Sequence, residues 1–141
     1  MQIFLASDHA GVGLKSIIIE FLKELEIESI NLGPNNTDRV DYPDFANALC
    51  ENVINNENSL GILICGSGIG MSIAANRYSG IRAALCNEPL SAKLAREHND
   101  ANVLCLGARL IGEDMACEIV KSFLDSTFAG GRHALRVKKL R

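Results

Sequence analysis

Apolar positions along the chain follow two patterns that alternate. Short, nearly unbroken apolar runs occur at Gln2–Ala6, Glu26–Asn31, Leu60–Cys65, Ile81–Leu85 and Asn102–Leu106. Between them lie longer segments of helical period, at Gly13–Leu25, Asp44–Asn55, Ile69–Arg77, Pro89–Glu97 and Glu113–Leu124. In the first of these, Leu14, Ile17, Ile18, Phe21, Leu22 and Leu25 recur at three- and four-residue spacing, which gives a helix one buried face. Three of the five short runs have almost no polar alternation, as strands do when helices cover both faces of their sheet. This order predicts an α/β fold: three layers, α/β/α, around a five-stranded parallel sheet of Rossmann-like type. The 141 residues read as one domain, 1–141, large enough for a hydrophobic core. No internal repeat, linker or low-complexity stretch interrupts it.

In an open parallel sheet, ligands bind beyond the carboxyl ends of the strands. Asp8-His9-Ala10-Gly11 follows the first strand and Cys65–Gly70 the third, while Asn87-Glu88 follows the fourth and Gly107-Ala108-Arg109 the fifth. The unusual polar residues are therefore expected mostly on one edge. His98-Asn99-Asp100 ends a helix, on the loop into the fifth strand.

The hexapeptide Cys65-Gly66-Ser67-Gly68-Ile69-Gly70 stands out. Its alternate glycines let the backbone approach a ligand closely. The turn N–H groups and the following helix N-terminus converge on a spot suited to negative charge, with the Cys65 thiol beside it. A nucleophile or base next to an oxyanion trap points to catalysis. The alternative is a tight turn with a small buried hydrophobe at Cys65. A dinucleotide fingerprint fits only in its first half, because Met71 stands where the third glycine belongs, although Glu88 lies near the place of a ribose-binding carboxylate. There is no phosphate-loop Gly-Lys-Ser/Thr and no Gly-x-Ser-x-Gly elbow.

Composition narrows the classes. Hydrophobic residues make up 48% and charged residues 22%, ordinary values for a folded protein. Aromatics are scarce at 5% and Trp is absent, which disfavours stacking platforms for single-stranded nucleic acid. The net charge of −3 is unevenly spread, since Arg132–Arg141 holds five of the fourteen basic residues and no acid. An acidic body disfavours broad nucleic-acid binding but leaves room for a small cationic pocket for an anionic metabolite. The five cysteines, at 50, 65, 86, 105 and 117, form no Cys-x-x-Cys pair, as suits free thiols in a reducing cytoplasm. Neither a signal peptide nor a membrane span is evident, so the expected setting is cytoplasmic, without membrane or nucleic-acid partners.

Individual polar residues each have two readings. His9 is either a satisfied turn residue or a functional one. His98, at a helix end, is a charge partner for the helix dipole or an acid. Arg132 and Arg136 lie at i and i+4, so a helix would put both on one face. They are a solvated basic tail or a phosphate fork, to which arginine is well matched.

Taken together, six segments resemble the type B ribose-5-phosphate isomerases, a family that includes galactose-6-phosphate and allose-6-phosphate isomerases. They are Ser7–Gly11, Asp41–Asp44, Cys65–Gly70 with Ala74-Ala75-Asn76, Gly80–Ala84, Arg96–Leu104 and Gly130-Gly131-Arg132-His133-x-x-Arg136. The resemblance runs from residue 2 to about residue 139. It implies that the substrate is an aldose phosphate, that His98 opens the sugar ring as an acid, and that Cys65 carries a proton between C2 and C1 through an enediolate. Ser67 joins them as a catalytic position; many members have threonine there, which keeps the hydroxyl. Asp8 matches a pocket position that orients the sugar or assists ring opening. The N–H groups of Gly66, Ser67, Gly68, Ile69 and Gly70 would hold the oxyanion, with no metal or cofactor. The family match assigns phosphate contacts to His9, Arg132 and Arg136, so that segment 131–141 completes the phosphate site. Asn99, Arg109 and Tyr42 match further substrate contacts. The resemblance also implies homodimers, often paired into tetramers, with His98, Asn99 and Arg109 reaching the pocket of the neighbouring subunit. Some members use a glutamate in the turn instead of the cysteine, but Ile69-Gly70-Met71-Ser72 has no carboxylate.

Interconversion of D-ribose 5-phosphate and D-ribulose 5-phosphate is thus the expected function, with a hexose 6-phosphate as the alternative substrate. A non-catalytic nucleotide- or anion-binding module would leave Cys65, His98 and the arginine pair unexplained. Redox signalling through Cys65 lacks a resolving cysteine nearby in the sequence.

Overall fold

Five parallel strands form the sheet, in the order β2-β1-β3-β5-β4. The computed structural model describes residues 1–140; Arg141, the last residue of the basic segment, lies outside the described residues. The strands are β1 (Gln2–Ser7), β2 (Ile30–Asn31), β3 (Ser59–Cys65), β4 (Ala83–Leu85) and β5 (Val103–Gly107). The helices are α1 (Val12–Glu24), α2 (Tyr42–Asn55), α3 (Ile69–Ala75), α4 (Pro89–Asn99), α5 (Glu113–Asp125) and α6 (Arg132–Val137).

Strand alternation divides the core into two. Ile3, Leu5, Ile62, Ile64, Leu104 and Leu106 face one side, where α1, α4 and α5 supply Ile18, Leu22, Ala92, Ile119 and Phe123. Phe4, Ala6, Leu63, Val103 and Cys105 face the other, against Ala46, Leu49 and Cys50 of α2 and Met71 and Ala75 of α3. Every residue of β3 and β5 is buried, as the near-absence of polar alternation predicts. Cys65 belongs to the α2–α3 face.

The predicted elements all appear, with shifted ends. The second strand shrinks to Ile30–Asn31 because the chain before it finishes α1. The N–H of Leu25 returns to Phe21 and Leu22 and that of Ile27 to Leu22, with Glu26 left-handed at φ 60°. Pro43 in the first turn of α2 starts that helix at Tyr42. The fourth helix extends through His98 and Asn99, and Asp100 closes it at φ 47°. Residues Arg132–Val137, which the apolar pattern left unassigned, form α6.

Because β1 lies between β2 and β3, the chain leaves β1 in one direction and enters β3 from the other. The crevice of a doubly wound sheet opens at such a reversal. Here it brings Asp8–Gly11 beside Cys65–Gly70, and the N–H of Asp8 donates to the carbonyl of Ile64 at 3.1 Å.

Candidate active site

The turn after β3 takes its shape from its own glycines. Gly68 has φ 77°, and a Cβ there would lie 2.6 Å from Leu85 Cδ1 and 2.9 Å from the Leu106 carbonyl carbon. Only glycine meets both conditions. So placed, its N–H donates to Cys65 Sγ at 3.2 Å. Ser67 Oγ accepts the N–H of Ile69 at 3.2 Å, a local hydroxyl turn at the entrance to α3. The thiol thus sits at the strand end with an N–H on its sulfur, while Ser67, Ile69 and Gly70 line the accessible side.

Neighbouring elements supply the walls. The Tyr42 ring lies against Gly70, where a Cβ would come within 2.7 Å of Cε1. Arg109 lies over Gly66, its Nη1 3.1 Å from the position of a Cβ. Cys65 and Gly107 are register partners, and the N–H groups of Ala108 and Arg109 donate to the carbonyls of Cys65 (2.9 Å) and Gly66 (3.0 Å). Because β5 adjoins β3, Arg109 contacts the glycine turn of its own chain. From β1, Asp8 is buried and its Oδ1 accepts the N–H of Ala10 at 2.9 Å, capping the short 3-10 turn His9–Gly11. His9 Nδ1 accepts the N–H of Val40 at 3.2 Å. With Nδ1 as acceptor, the neutral ring carries its proton on Nε2 and presents a donor there.

His98, Asn99, Arg132 and Arg136 are elsewhere. In a parallel sheet, α4 returns the chain to the edge where strands begin, so its last residues precede the start of β5. Cys65 pairs with the end of β5. The rise of that strand, ~13 Å for its four steps, separates the two edges within one chain. The expected single edge therefore holds for Asp8, His9, Cys65–Gly70 and Arg109 but not for His98 and Asn99.

A second, cationic cluster forms at this lower edge. The N–H of Ala129 donates to the carbonyl of Glu97 at 2.9 Å, tying the C-terminal segment to α4. His133 of α6 stacks on His98. Burial, and then His98, Arg132 and Arg136, hold the His133 pKa below the ordinary histidine value. Asp100 anchors the loop that ends α4. Its Oδ1 accepts from Arg96 Nη1 (3.1 Å) and its Oδ2 from Arg82 Nη2 (3.3 Å), while its carbonyl accepts from Arg82 Nε (2.7 Å).

Three positions escaped the sequence reading. His133 lies within a quoted motif but had no assigned partner, because stacking across two helices leaves no trace in spacing. Val40 acts through its backbone alone. Lys15 is buried and donates to the carbonyl of Pro34; its place three residues before Ile18 and seven before Leu22, on the apolar stripe of α1, is the signal that could have found it.

All five cysteines are free. Burial pushes the Cys50 thiol up to about 12, with Glu51 adding to it, and raises those of Cys86 and Cys105 too. Among the described residues, no group of three His, Cys, Asp or Glu is arranged to hold a metal ion. Among the described residues, no helix is long and apolar enough to cross a membrane.

A doubly wound sheet with a thiol and an N–H-lined turn at its reversal point defines a class: small α/β proteins built to act on an anionic ligand. The family model described as Ribose/Galactose Isomerase matches residues 3–140, and the chain belongs to that family. Ribose-5-phosphate isomerase B of Escherichia coli is 45% identical over 139 residues, covering 99% of this chain and 93% of that one. Ribose-5-phosphate isomerase B of Clostridium thermocellum superimposes with a TM-score of 0.96 at 50% identity, covering 99% and 94% of the two chains. The Mycoplasma genitalium enzyme, whose structure holds ribulose-5-phosphate, gives 0.94 at 47% identity over 98% and 92%.

Proposed function

We propose that this protein interconverts D-ribose 5-phosphate and D-ribulose 5-phosphate, with Cys65 as the base. The observation that carries the reading is the N–H of Gly68 on Cys65 Sγ, at the reversal point of a sheet shared with ribose-5-phosphate isomerases B. As a thiolate, Cys65 takes the proton from C2 of the open aldose. The electron pair moves to the C1 carbonyl and gives an enediolate; the O2 hydroxyl proton passes to O1, and Cys65 returns its proton to C1, leaving the carbonyl at C2 as the ketose forms. With the N–H groups of Gly68 and Ile69 held by Cys65 Sγ and Ser67 Oγ, those of Gly66, Ser67 and Gly70 offer donors to the developing oxyanion; one such donor is worth ~3 kcal/mol in other enzymes. Ser67 and Tyr42 border the sugar, Asp8 fixes the turn that presents His9, and His9 Nε2 and Arg109 face the anionic end. The proton is shuttled by protein groups and no metal or cofactor takes part.

Ring opening needs an acid, and the histidine of the lower cluster, His98, suits it. One chain cannot deliver His98 to its own Cys65, so we infer a homodimer with twofold symmetry. Each copy lends His98, Asn99, Arg132 and Arg136 to the other's crevice, since a twofold contact makes the exchange reciprocal. Exposed apolar side chains border both clusters: Tyr42, Ile69, Ile73 and Leu110 near the turn, Leu135 and Leu140 in and after α6. Such patches need a cover. In this assembly segment 131–141 completes the phosphate site, and free thiols suit a cytoplasmic setting.

The test is ketose formation from ribose 5-phosphate, and separately from allose and galactose 6-phosphates, by the parent and by Cys65→Ala. Turnover of the pentose that disappears in Cys65→Ala is the expected result. Turnover of a hexose alone would keep the chemistry and change the substrate. A folded dimer inert toward all three would overturn the reading.

A further inference from the structure

The end of α4 and the first turn of α6 meet through two imidazoles. The rings of His98 and His133 are 4.3 Å apart between centroids and 11° from parallel. Rings in face-to-face contact cannot hydrogen-bond each other, so the contact fixes their planes and couples their charges. The charged groups facing His133 come from both elements packed there: His98 from α4, and Arg132 and Arg136 from α6. Glu97, the nearby acid on α4, is turned to Lys93 at 3.9 Å. Among the described residues, no carboxylate pairs with Arg132 or Arg136, and both are exposed. Four groups that carry or accept positive charge thus stand together with no counter-ion among the described residues.

We propose that His133 is a positioning residue for His98: it clamps the plane of the His98 ring by stacking on it, and its own charge is coupled to the anion site formed by Arg132 and Arg136. This rests on His98 being the ring-opening acid. Before the anion arrives, two guanidinium charges oppose a proton on His133. A phosphate dianion between the guanidinium groups offsets that opposition, and His133 then holds a proton more readily. The low pKa of His133 agrees with this arrangement, with burial as its first cause and the three neighbouring cations as the others.

The chain has only three histidines, so their ring C–H signals can be followed separately by NMR in the full-length protein, assigned with His9→Asn and His133→Phe. Inorganic phosphate should raise the His133 titration midpoint by about half a unit or more. Arg132→Gln with Arg136→Gln should remove that rise. A His133 midpoint unmoved by saturating phosphate would overturn the charge coupling. On turnover, His133→Ala should lower kcat about tenfold with KM within about twofold, as misorientation of an acid does. His133→Phe keeps a flat ring and should recover most of the loss. Equal kcat in parent, Ala and Phe forms, or equal loss in both variants, would overturn the clamp. A protein that turned over no sugar phosphate would remove the reading of the site, whereas the NMR titration would still decide the pair.

Discussion

Gly107 of β5 and Ser67 of the thiol-bearing turn meet backbone to backbone: a Cβ on Gly107 would lie 2.6 Å from the Ser67 carbonyl oxygen and 2.7 Å from its carbonyl carbon. Neither atom can swing aside as the tip of a side chain could. Gly107→Ala must therefore displace the whole turn. It should cost about 1–3 kcal/mol of stability, read by urea unfolding, and lower turnover at least about tenfold, because the N–H groups would no longer aim at one point. Gly13→Ala is the matched control. Gly13 lies in α1 with open space around its Cβ position, so the exchange should gain up to about 1 kcal/mol and leave turnover unchanged. Unaltered turnover in Gly107→Ala would refute the tight dependence on turn geometry.

Sharing of sites between copies has an arithmetic signature. Cys65→Ala and His98→Asn, each inactive alone, should regain about a quarter of parental activity when refolded together in equal amounts. Half the dimers are then mixed, and each mixed dimer has one intact site. Cys65→Ala with Arg109→Ala should regain no such fraction, since Arg109 lies over Gly66 of its own chain and both defects fall in the same half-site. Rescue in the second mixture, or none in the first, would refute the division into two clusters.

Lys15 makes stability depend on pH with a definite sign. Burial lowers its pKa from 10.5 to about 8. Between those values the unfolded chain binds a proton that the folded chain does not, so this contribution to stability rises with pH through that window. Its full benefit is present above 10.5 and is lost as pH falls through 8. The span is of the order of 3 kcal/mol. The buried thiols, Cys50 among them, act in the opposite direction but are common to parent and variant. The stability difference between Lys15→Met and parent should therefore shift in favour of the parent from pH 8 to 10.5, as followed by urea midpoints. A difference constant across the window would refute the buried-lysine assignment.

Asp100 combines two demands, a left-handed φ of 47° and two arginine partners. Asp100→Asn tolerates the backbone and keeps acceptor capacity. Asp100→Ala meets neither demand and leaves Arg96, nearly buried, without its carboxylate. Ala should cost more than Asn by about 1–2 kcal/mol, and both should lower kcat, because His98 and Asn99 sit directly before this corner. Thermal melts and turnover of the two variants side by side test this; equal melting temperatures would refute the backbone component.

The hydrophobic pattern made the layers legible because each strand of the core is buried on both faces and each helix on one. The alternation of Leu63 and Cys65 against Ile62 and Ile64 follows from that period of two. The glycine turn was legible too, since strand, glycines and helix are contiguous. Other features depend on partners distant in sequence. Glu26 closes α1 by a left-handed turn without glycine, so the second strand looked longer than it is. The contact of Arg109 with Gly66 of its own chain comes from the pairing of β3 with β5, which no local spacing announces. The stack of His98 on His133 joins segments 35 residues apart in the numbering, beyond any local period.

The outer strands of the sheet contain two residues in β2 and three in β4. Unpaired strand edges are templates on which other chains can add, and long exposed ones invite aggregation. Here almost no ladder is left unfinished at either side, so strand addition has little to grip. Association is left to side-chain surfaces that recognise shape and charge, so the dimer we infer can form without offering a general-purpose edge to other chains.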